Sequence, residues 1–335
     1  MALIQKNQSL LRYNTFGIDH RALYFAHIDS TDQLQEALQK NKTNKTIILG
    51  GGSNVLLTKD IEDSLVIHMA NKGVEIVSKT KDWVIVEIQG GENWHEFVLW
   101  CLKKNLGGIE NLALIPGQVG AAPIQNIGAY GVELERVFVS CQAFDLKSGR
   151  VVCFTKQECG FDYRNSIFKR EFPNRFIILT IRFKLSVTNH HLEYSYESLK
   201  KEMRNQNPTI ESIAKAVMRI RSRKLPDPLK LGNAGSFFKN PTISQSKFSE
   251  IKSLYEEIPH FKTTSGIKIP AGWLIEQVKL KGYRQGDAGV HHNQALVLVN
   301  YGKATGLEVF KLSQLVKNKV KTTFGIELEE EVRIL

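Results

Sequence analysis

A glycine-rich stretch at residues 106–131 constrains the fold of this chain more than any other segment. It reads LGGIENLALIPGQVGAAPIQNIGAYG and holds six glycines, two prolines and no lysine or arginine. Glycine and proline interrupt regular elements, so the stretch is too broken for a helix or strand and too apolar for a surface linker. Small residues at Gly120, Ala121, Ala122 and Gly128 leave backbone N–H groups accessible, which predicts a loop that binds an anion such as a phosphate. The alternative is a buried, tightly turning connection without a ligand.

Length and composition predict a globular protein of two or three domains. The chain has 335 residues, of which 42% are hydrophobic and 24% charged. No run approaches the roughly 20 apolar residues of a membrane span, and residues 1–11 hold no hydrophobic signal segment. The four cysteines lack CxxC spacing, and His291-His292 has no acidic or cysteine partner at ligand spacing. We therefore expect a cytoplasmic protein with no membrane partner and no metal. A monomer is expected, although no sequence pattern determines the oligomeric state.

The net charge of +11 makes a nucleic acid one candidate partner. The basic residues are spread along the chain, with the densest cluster at 215–230, and no binding motif with interleaved aromatic residues accompanies them. A local basic cluster suits an anionic small molecule equally well. Charge alone does not decide between the two, but the missing motif favours a small-molecule ligand over a nucleic acid.

Hydrophobic periodicity predicts a mixed α+β fold. A short buried strand runs into Gly50-Gly51-Gly52-Ser53-Asn54, a turn typical of ligand contact. Its consecutive glycines do not match the GxGxxG pattern of the classical dinucleotide-binding fold.

Several further elements are predicted from the same patterns. Asn93 is a predicted helix cap, and a hairpin is expected around residues 147–149. A late helix is expected to bury one stripe, and residues 325–335 resemble a strand. The stripe consists of Val309, Leu312, Val316 and Val320.

Three polar residues lie in apolar or glycine-rich surroundings and are candidate catalytic residues. Arg164 is flanked by aromatic residues in the segment 163–169, where a rigid guanidinium could hold a carboxylate or an oxyanion. Ser236 lies in a second glycine-broken loop at 232–241 and is a candidate proton donor. Glu331 ends a run of four glutamates in five residues. The structural alternatives are a surface-stacked arginine, a turn serine and a solvated acidic edge.

Nine segments, taken together and in order, resemble the UDP-N-acetylenolpyruvoylglucosamine reductases, flavoenzymes of bacterial peptidoglycan precursor synthesis. The segments are NTFGID (14–19), ILGGGSNVLL (48–57), GIENLALIPGQVGAAPIQNIGAYGVEL (108–134), FDYRNSIFK (161–169), KLPDP (224–228), GNAGSFFKNP (232–241), AGWLIEQ (271–277), QALVLVN (294–300) and LEEEVRI (328–334). One departure is Glu329-Glu330, where the family usually has a proline.

The resemblance implies an α+β fold with a two-lobed FAD-binding region of the vanillyl-alcohol-oxidase/PCMH type and an α+β substrate-binding domain. The expected domains are a first FAD-binding subdomain at 1–75, a second at 76–208 to which 322–335 returns, and a substrate-binding domain at 209–321.

The resemblance also assigns residues to ligands. The FAD contacts it implies are Gly50, Gly51, Gly52, Ser53, Asn54, Ile115, Pro116, Gly117, Gly120, Ala121, Ala122, Asn126, Gly128 and Arg333. The contacts it implies to the UDP-sugar are Tyr196, Arg221, Lys224, Asn240 and Gln294, with Tyr196 matching the substrate-clamping tyrosine of the longer, type I branch.

The implied reaction is two hydride transfers. NADPH reduces FAD, and the flavin then passes a hydride to the vinyl carbon of the enolpyruvyl UDP-sugar. Ser236 would protonate the neighbouring carbon, while Arg164 and Glu331 would stabilise the enol. The rival hypotheses are an FAD-dependent oxidase of the same fold and, in a different class, a basic protein that binds nucleotides or RNA.

Overall fold

The computed structural model describes residues 3–43 and 45–335, which form a mixture of strands and helices. The strands are β1 (Ile4–Ser9), β2 (Arg21–Ile28), β3 (Thr46–Leu49), β4 (Val55–Leu56), β5 (Ile61–Met69), β6 (Val74–Lys79), β7 (Trp83–Gln89), β8 (Gly128–Ala129), β9 (Val132–Glu133), β10 (Phe138–Asp145), β11 (Arg150–Thr155), β12 (Phe176–Ser186), β13 (Gly232–Ser236), β14 (Thr242–Ile243), β15 (Phe261–Thr263), β16 (Gly266–Lys268), β17 (Arg284–Gln285), β18 (Ala288–Val290), β19 (Val297–Asn300) and β20 (Arg333–Ile334). The α-helices are α1 (Thr31–Lys40), α2 (Trp94–Lys103), α3 (Ile167–Arg170), α4 (Glu197–Glu202), α5 (Ile210–Lys224), α6 (Gln245–Leu254), α7 (Ala271–Gln277) and α8 (Gly306–Phe324).

The chain divides into two compact units, each assembled from separate segments. The first unit holds Met1–Gln8, Ala22–Gly51 and Ile61–Arg223, and the second holds Ser9–Arg21, Gly52–Asp60 and Lys224–Leu335. Each unit has its own sheets and its own buried core. The division into three domains expected from the sequence remains a prediction.

Two large sheets, besides the short pair β8-β9, build the first unit. One has the strand order β1-β2-β5-β3, in which β5 pairs in parallel with both β2 and β3. The other has the order β11-β10-β12-β7-β6 and is antiparallel. Helix α2 begins at the predicted cap, where Asn93 accepts a hydrogen bond from the backbone N–H of Glu96. Its Trp94 packs edge-on against Phe183 of β12, with ring centroids 6.0 Å apart.

The glycine-rich stretch lies against this core and forms neither an α-helix nor a long strand, as predicted. It contains two 3₁₀ helices, Glu110–Leu112 and Val119–Gln125, before the short strand β8. Trp94 makes two hydrogen bonds to the stretch. Its backbone N–H donates to Gly117 O, and its Nε1 donates to Leu112 O. Much of the stretch is therefore buried packing, which was the alternative to a ligand-binding loop.

The second unit is built on the antiparallel sheet β13-β19-β18-β17, with a smaller sheet β14-β16-β15. Helix α8 begins in a capping box between Thr305 and Glu308 and ends at Gly325, whose φ of +64° suits glycine. The predicted stripe along α8 is confirmed: Val309, Leu312, Val316 and Val320 are all buried.

The C-terminal segment differs from its prediction. A strand was expected over 325–335, but only Arg333–Ile334 pairs as a strand, in parallel with β4. The residues before it still alternate, because Ile326, Leu328 and Val332 are buried whereas Glu327 and Glu329 are exposed. The segment therefore keeps an extended strand-like alternation although it lacks a ladder partner for most of its length.

Some features are absent within residues 3–43 and 45–335. No helix there combines the length and apolar character needed to cross a membrane. Over the same residues, no three His, Cys, Asp or Glu side chains are grouped so that they could hold a metal ion. The four cysteines are free thiols, three of them buried and Cys153 exposed.

Candidate active site

Ser236 ends strand β13 of the second unit, directly after an irregularity in its pairing with β19. The buried side chain of Asn233 shapes this irregularity, since its Oδ1 accepts the N–H of Gly235 at 2.9 Å. Gly235 has a φ of +69°, a conformation that strains residues with a Cβ. The next residue, Phe237, is fully buried. Ser236 is thus held on rigid backbone, and its hydroxyl has no hydrogen-bond partner among the residues that the structure describes.

Backbone pairing joins the segment of Glu331 to the segment that carries Ser236. Its N–H donates to the carbonyl oxygen of Phe237 at 2.8 Å, and Phe238 forms an antiparallel bridge with Glu330. The even-numbered residues of the segment enter the core, so Glu331 lies on the opposite side from Val332 and is partly exposed. The structure therefore places two of the three predicted catalytic residues on neighbouring hydrogen-bonded segments.

The same C-terminal segment meets the turn that follows β3. Asn54 Nδ2 donates to Glu331 O at 3.1 Å, and the N–H of Arg333 donates to Asn54 O at 3.0 Å. Two residues predicted to bind FAD, Asn54 and Arg333, are thereby joined to the Ser236–Glu331 pair. Ser53 precedes Asn54 in the same turn.

The Arg333 side chain is desolvated, and the residues described in the structure offer it no counter-ion. It is partly buried, and within the described part of the chain its guanidinium has no hydrogen-bond or ion-pair partner. Burial lowers the pKa of this guanidinium below its ordinary value. A desolvated cation of this kind is stabilised by an anionic ligand, and the arginine fork matches phosphate oxygens.

The glycines of the turn at 50–52 are needed for close packing of the chain itself. A Cβ on Gly52 would lie 2.0 Å from Tyr13 O, within the second unit. In the first unit, a Cβ on Gly51 would approach Gly117 Cα to 3.1 Å. A Cβ on Gly50 would lie 3.2 Å from Gln118 Oε1. Their lack of side chains therefore has a structural cause whether or not a ligand is bound.

Two N–H groups expected to face a phosphate are already paired inside the first unit. Gly120 donates to Gly90 O at 2.8 Å, and Ala121 donates to Gln118 O at 3.1 Å. A phosphate would have to share or replace these two bonds, and the FAD contacts of Gly120 and Ala121 remain predictions. Of the other predicted contacts in this loop, Ala122 is buried and Pro116 is exposed, with Ile115, Gly117 and Gly128 partly buried.

Asn126 is fully buried and is used by the protein itself. Its Nδ2 donates to Glu133 Oε2 at 2.9 Å and to Asp162 O at 3.3 Å, and its Oδ1 accepts the N–H of Glu135. Its backbone adopts a φ of +43°, which asparagine tolerates better than most residues. The side chain therefore holds the loop in shape, and a cofactor contact here would fall to the backbone.

Arg164 lies in the first unit and faces the glycine-rich stretch. Its Nη2 donates to Gly128 O at 2.6 Å, and its guanidinium stacks 5.4 Å from the centroid of the Tyr163 ring. A Cβ on Gly128 would come within 2.9 Å of Arg164 Nη1, so glycine at 128 gives the guanidinium its room. Arg164 itself has a φ of +53°, a strained backbone of the kind found at functional sites.

Arg221 lies near Arg164 in the same unit and donates a hydrogen bond to the glycine-rich stretch. Its Nε donates to Leu114 O at 3.2 Å, while the N–H of Leu114 donates to His95 Nδ1 at 3.0 Å. Burial lowers the pKa of Arg221, Tyr130 partly offsets that effect, and the charge of Arg164 adds to it. Two guanidinium groups that repel each other make this region favourable for an anion.

Tyr130, which was not predicted from the sequence, contacts the predicted substrate residue Tyr196. Its ring packs edge-on against Tyr196, with centroids 5.6 Å apart, and Tyr196 is 48% exposed. Burial raises the pKa of the Tyr130 hydroxyl, and the nearby Arg221 partly counters this. The sequence offers one signal, a tyrosine between Ala129 and Gly131, and the structure holds that tyrosine at a φ of +49°.

The remaining predicted substrate contacts lie in the second unit. Asn240 Oδ1 accepts the N–H of Ala271 at 2.9 Å and so binds the first turn of α7. A Cβ on Gly272, in that same turn, would lie 3.2 Å from Gln294 Oε1. Asn240 and Gln294 are therefore brought together at the start of α7, whereas Lys224 is exposed at the end of α5.

The chain is similar to known proteins along nearly its whole length. A family model described as UDP-N-acetylenolpyruvoylglucosamine reductase, C-terminal domain, matches residues 227–335, and one described as FAD binding domain matches residues 22–155. The chain is 50% identical over 336 residues to a UDP-N-acetylenolpyruvoylglucosamine reductase of Flavobacterium johnsoniae, covering 99% of each protein. It is 46% identical over 332 residues to the Pseudomonas putida protein of the same name, covering 98% of this chain and 97% of that protein.

A solved structure shares the fold. The UDP-N-acetylenolpyruvylglucosamine reductase of Thermus caldophilus superposes with a TM-score of 0.70 at 23% identity, covering 100% of this chain and 99% of that one. The α+β fold class with an FAD-binding region, which the sequence resemblance implied, is confirmed.

Proposed function

The chain belongs to the UDP-N-acetylenolpyruvoylglucosamine reductase family and is a flavin-dependent oxidoreductase that uses FAD, and from this we propose its reaction and the residues that perform it. The reaction is the NADPH-dependent reduction of UDP-N-acetylglucosamine enolpyruvate to UDP-N-acetylmuramate, a step of peptidoglycan precursor synthesis. The observation that supports the proposal is the pairing of the Glu331 N–H with Phe237 O, which joins the segment of Glu331 to the segment that carries Ser236.

The positive charge of the desolvated Arg333 side chain fits an FAD diphosphate. Arg333 is a desolvated guanidinium for which the described residues supply no counter-ion, and its backbone is bonded to Asn54 of the glycine turn. Arg333 and Ser53 are the residues we propose to hold the diphosphate, and Gly50, Gly51, Gly117 and Ala122 are further proposed FAD contacts. Bound FAD would supply the redox chemistry by taking a hydride from NADPH and passing it to the terminal vinyl carbon of the sugar.

Ser236 is the proposed proton donor for the carbon next to that vinyl carbon. Hydride addition leaves this carbon enolate-like, and a carbanion of this type is a far stronger base than an alkoxide, so the transfer from a hydroxyl runs downhill. General acid catalysis needs a positioned donor within hydrogen-bond reach. The rigid bulge at Asn233–Gly235 and the hydroxyl's lack of a described protein partner suit Ser236 to that task.

Arg164 and Glu331 are the proposed stabilisers of the enol. Negative charge that develops on the substrate carboxyl group in the transition state is stabilised by fixed donors and positive charge. Arg164 is fixed by its bond to Gly128 O and by its stacking on Tyr163, and Arg221 adds positive charge to the same region. The segment of Glu331 is held by the bond from its backbone N–H to Phe237 O, and its carboxyl group in the protonated form would donate a hydrogen bond to the enol.

The UDP-sugar contacts complete the proposal. Tyr196, exposed beside Tyr130, is the proposed substrate clamp, and Asn240, Gln294 and Lys224 are further proposed substrate contacts. Arg221 would attract its anionic groups.

The proposal is tested by following the two half-reactions separately under anaerobic conditions. NADPH should bleach the flavin absorbance, and the enolpyruvyl UDP-sugar should restore it without oxygen. Restoration only when oxygen is admitted would instead support an oxidase of the same fold.

A further inference from the structure

We propose that Asn111 is a positioning residue for substrate binding, which holds the Tyr130 turn and the segment leading to Tyr196 in one arrangement. The inference rests on the proposed function, because it acts through the substrate contact assigned to Tyr196.

Asn111 is a buried amide that joins two parts of the first unit. It lies in the 3₁₀ helix Glu110–Leu112 and is 1% exposed. Its Nδ2 donates both of its hydrogens, one to Tyr130 O at 3.0 Å and the other to Glu193 O at 2.8 Å. One side chain thus cross-links the glycine-rich stretch to the segment that carries Tyr196.

The two segments also meet directly above this cross-link. The rings of Tyr130 and Tyr196 pack edge-on at 5.6 Å, and a Cβ on Gly131 would touch Glu193 Cγ at 3.4 Å. Glu193 then accepts bonds from both the N–H and the hydroxyl of Ser195 at 2.9 and 2.5 Å, which makes the turn before Tyr196 rigid. A displacement of Glu193 would therefore be transmitted to Tyr196.

Separate hydrogen bonds hold residues 186–190, which precede the segment that carries Tyr196. Asn105 Nδ2 donates to Val187 O at 3.3 Å, and His190 Nδ1 lies 2.7 Å from Ser186 Oγ. These bonds hold residues 186–190 and do not involve Asn111. Asn105 is consequently a matched control, since it is an asparagine that binds the same segment at the end away from Tyr196.

The side-chain oxygen of Asn111 supports a positioning role for this residue. Oδ1 is buried and has no hydrogen-bond partner among the described residues. A buried acceptor without a donor costs stability, so an amide is a poor choice here if folding alone is considered. An apolar residue of similar size could not donate the two hydrogen bonds to Tyr130 O and Glu193 O.

The test is a double-mutant cycle between Asn111 and Tyr196. We expect Asn111→Ala to raise the KM for the enolpyruvyl UDP-sugar by roughly 10-fold or more, the loss of two net hydrogen bonds. Flavin reduction by NADPH should change less than about twofold. In a Tyr196→Ala background the same substitution should have almost no further effect on this KM, because contacting or coupled residues are non-additive. Asn105→Ala should leave the KM unchanged.

Asn111→Leu serves as a second variant that fills the site without donors, in case the alanine variant folds poorly. Equal effects of Asn111 substitution in the two backgrounds, or an equal loss in the NADPH half-reaction, would overturn the inference while the proposed function stands. A wild-type flavin that the sugar does not reoxidise would instead defeat the proposed function itself.

Discussion

The backbone N–H of Glu331 donates to the carbonyl oxygen of Phe237 at 2.8 Å. Because Ser236 directly precedes Phe237, this one bond brings together the segments of two candidate catalytic residues that are far apart in the chain. The bond is made by the main chain, so it does not depend on the side chain at position 331 or 236. Both residues can therefore be substituted with the pairing of their segments intact.

Ser236→Ala should separate the two half-reactions. Removal of the positioned proton donor is expected to slow reoxidation of the flavin by the enolpyruvyl sugar by about 10²–10⁴-fold. Flavin reduction by NADPH should stay near the wild-type rate, because no proton from Ser236 is needed in that step. Stopped-flow absorbance measures both rates. Ser253→Ala, on an exposed helix face, is the control. Equal slowing of both half-reactions would remove Ser236 from its assigned role.

Glu331→Gln should slow the second half-reaction by about 10²–10³-fold, the usual cost of losing one electrostatic group at a transition state. The substitution keeps the size of the side chain and the backbone bond to Phe237, so thermal stability should be unaffected. Glu329→Gln is the matched control, since Glu329 is exposed and paired with Lys239. If both variants behave alike in single-turnover assays, the acidic run is only a solvated edge.

Arg333→Met should weaken FAD binding by about 10–100-fold, the range for a charge-assisted hydrogen bond. The protein without FAD should be as stable as the wild type or more stable, because the variant no longer buries a cation for which no counter-ion is described. Titration calorimetry with FAD and thermal unfolding of the apoprotein measure the two effects, with the exposed Arg12→Met as control. Unchanged FAD affinity would show that Arg333 does not contact the cofactor.

FAD retention should fall as the pH is lowered below 6.5. Burial, partly countered by Glu96, holds the pKa of His95 below its ordinary value of 6.5, and its neutral Nδ1 accepts the N–H of Leu114. A histidine whose pKa is lower in the folded state stabilises that state fully above 6.5, and this contribution is lost as the pH falls towards the folded pKa.

The histidine is tested by a variant that keeps the acceptor and does not titrate. His95→Asn should retain FAD to lower pH than the wild type, by several tenths of a pH unit, whereas the exposed His191→Asn should not. Flavin released on a desalting column across a pH series gives the measurement. Superimposable profiles for the wild type and His95→Asn would mean that the Leu114 bond has no part in FAD retention.

Local features of the fold were predictable because their causes are local. The stripe on α8 and the cap at Asn93 follow from periodicity and from backbone donors that need a partner. Residues 325–335 alternate as a strand would, yet the sequence could not show which side is buried, because the core that covers Ile326 and Leu328 comes from distant segments.

The candidate site was predictable in its residues but not in its arrangement. The pairing of Phe237 with Glu331 is a long-range backbone contact that no local pattern encodes. Gly120 and Ala121 have the composition of an anion-binding loop, but their N–H groups are satisfied by carbonyls that only the folded chain brings near. Tyr130 was missed because its contact with Tyr196 depends on a left-handed backbone inside the glycine-rich stretch.

The visible absorption spectrum of the purified protein tests the central claim most directly. It is recorded without oxygen, first alone, then with NADPH, and last with the enolpyruvyl UDP-sugar. The proposed function predicts an oxidised flavin spectrum that bleaches with NADPH and returns in full when the sugar is added. A flavin that NADPH bleaches but the sugar leaves bleached would contradict the proposed reaction and the roles of Ser236 and Glu331 in it.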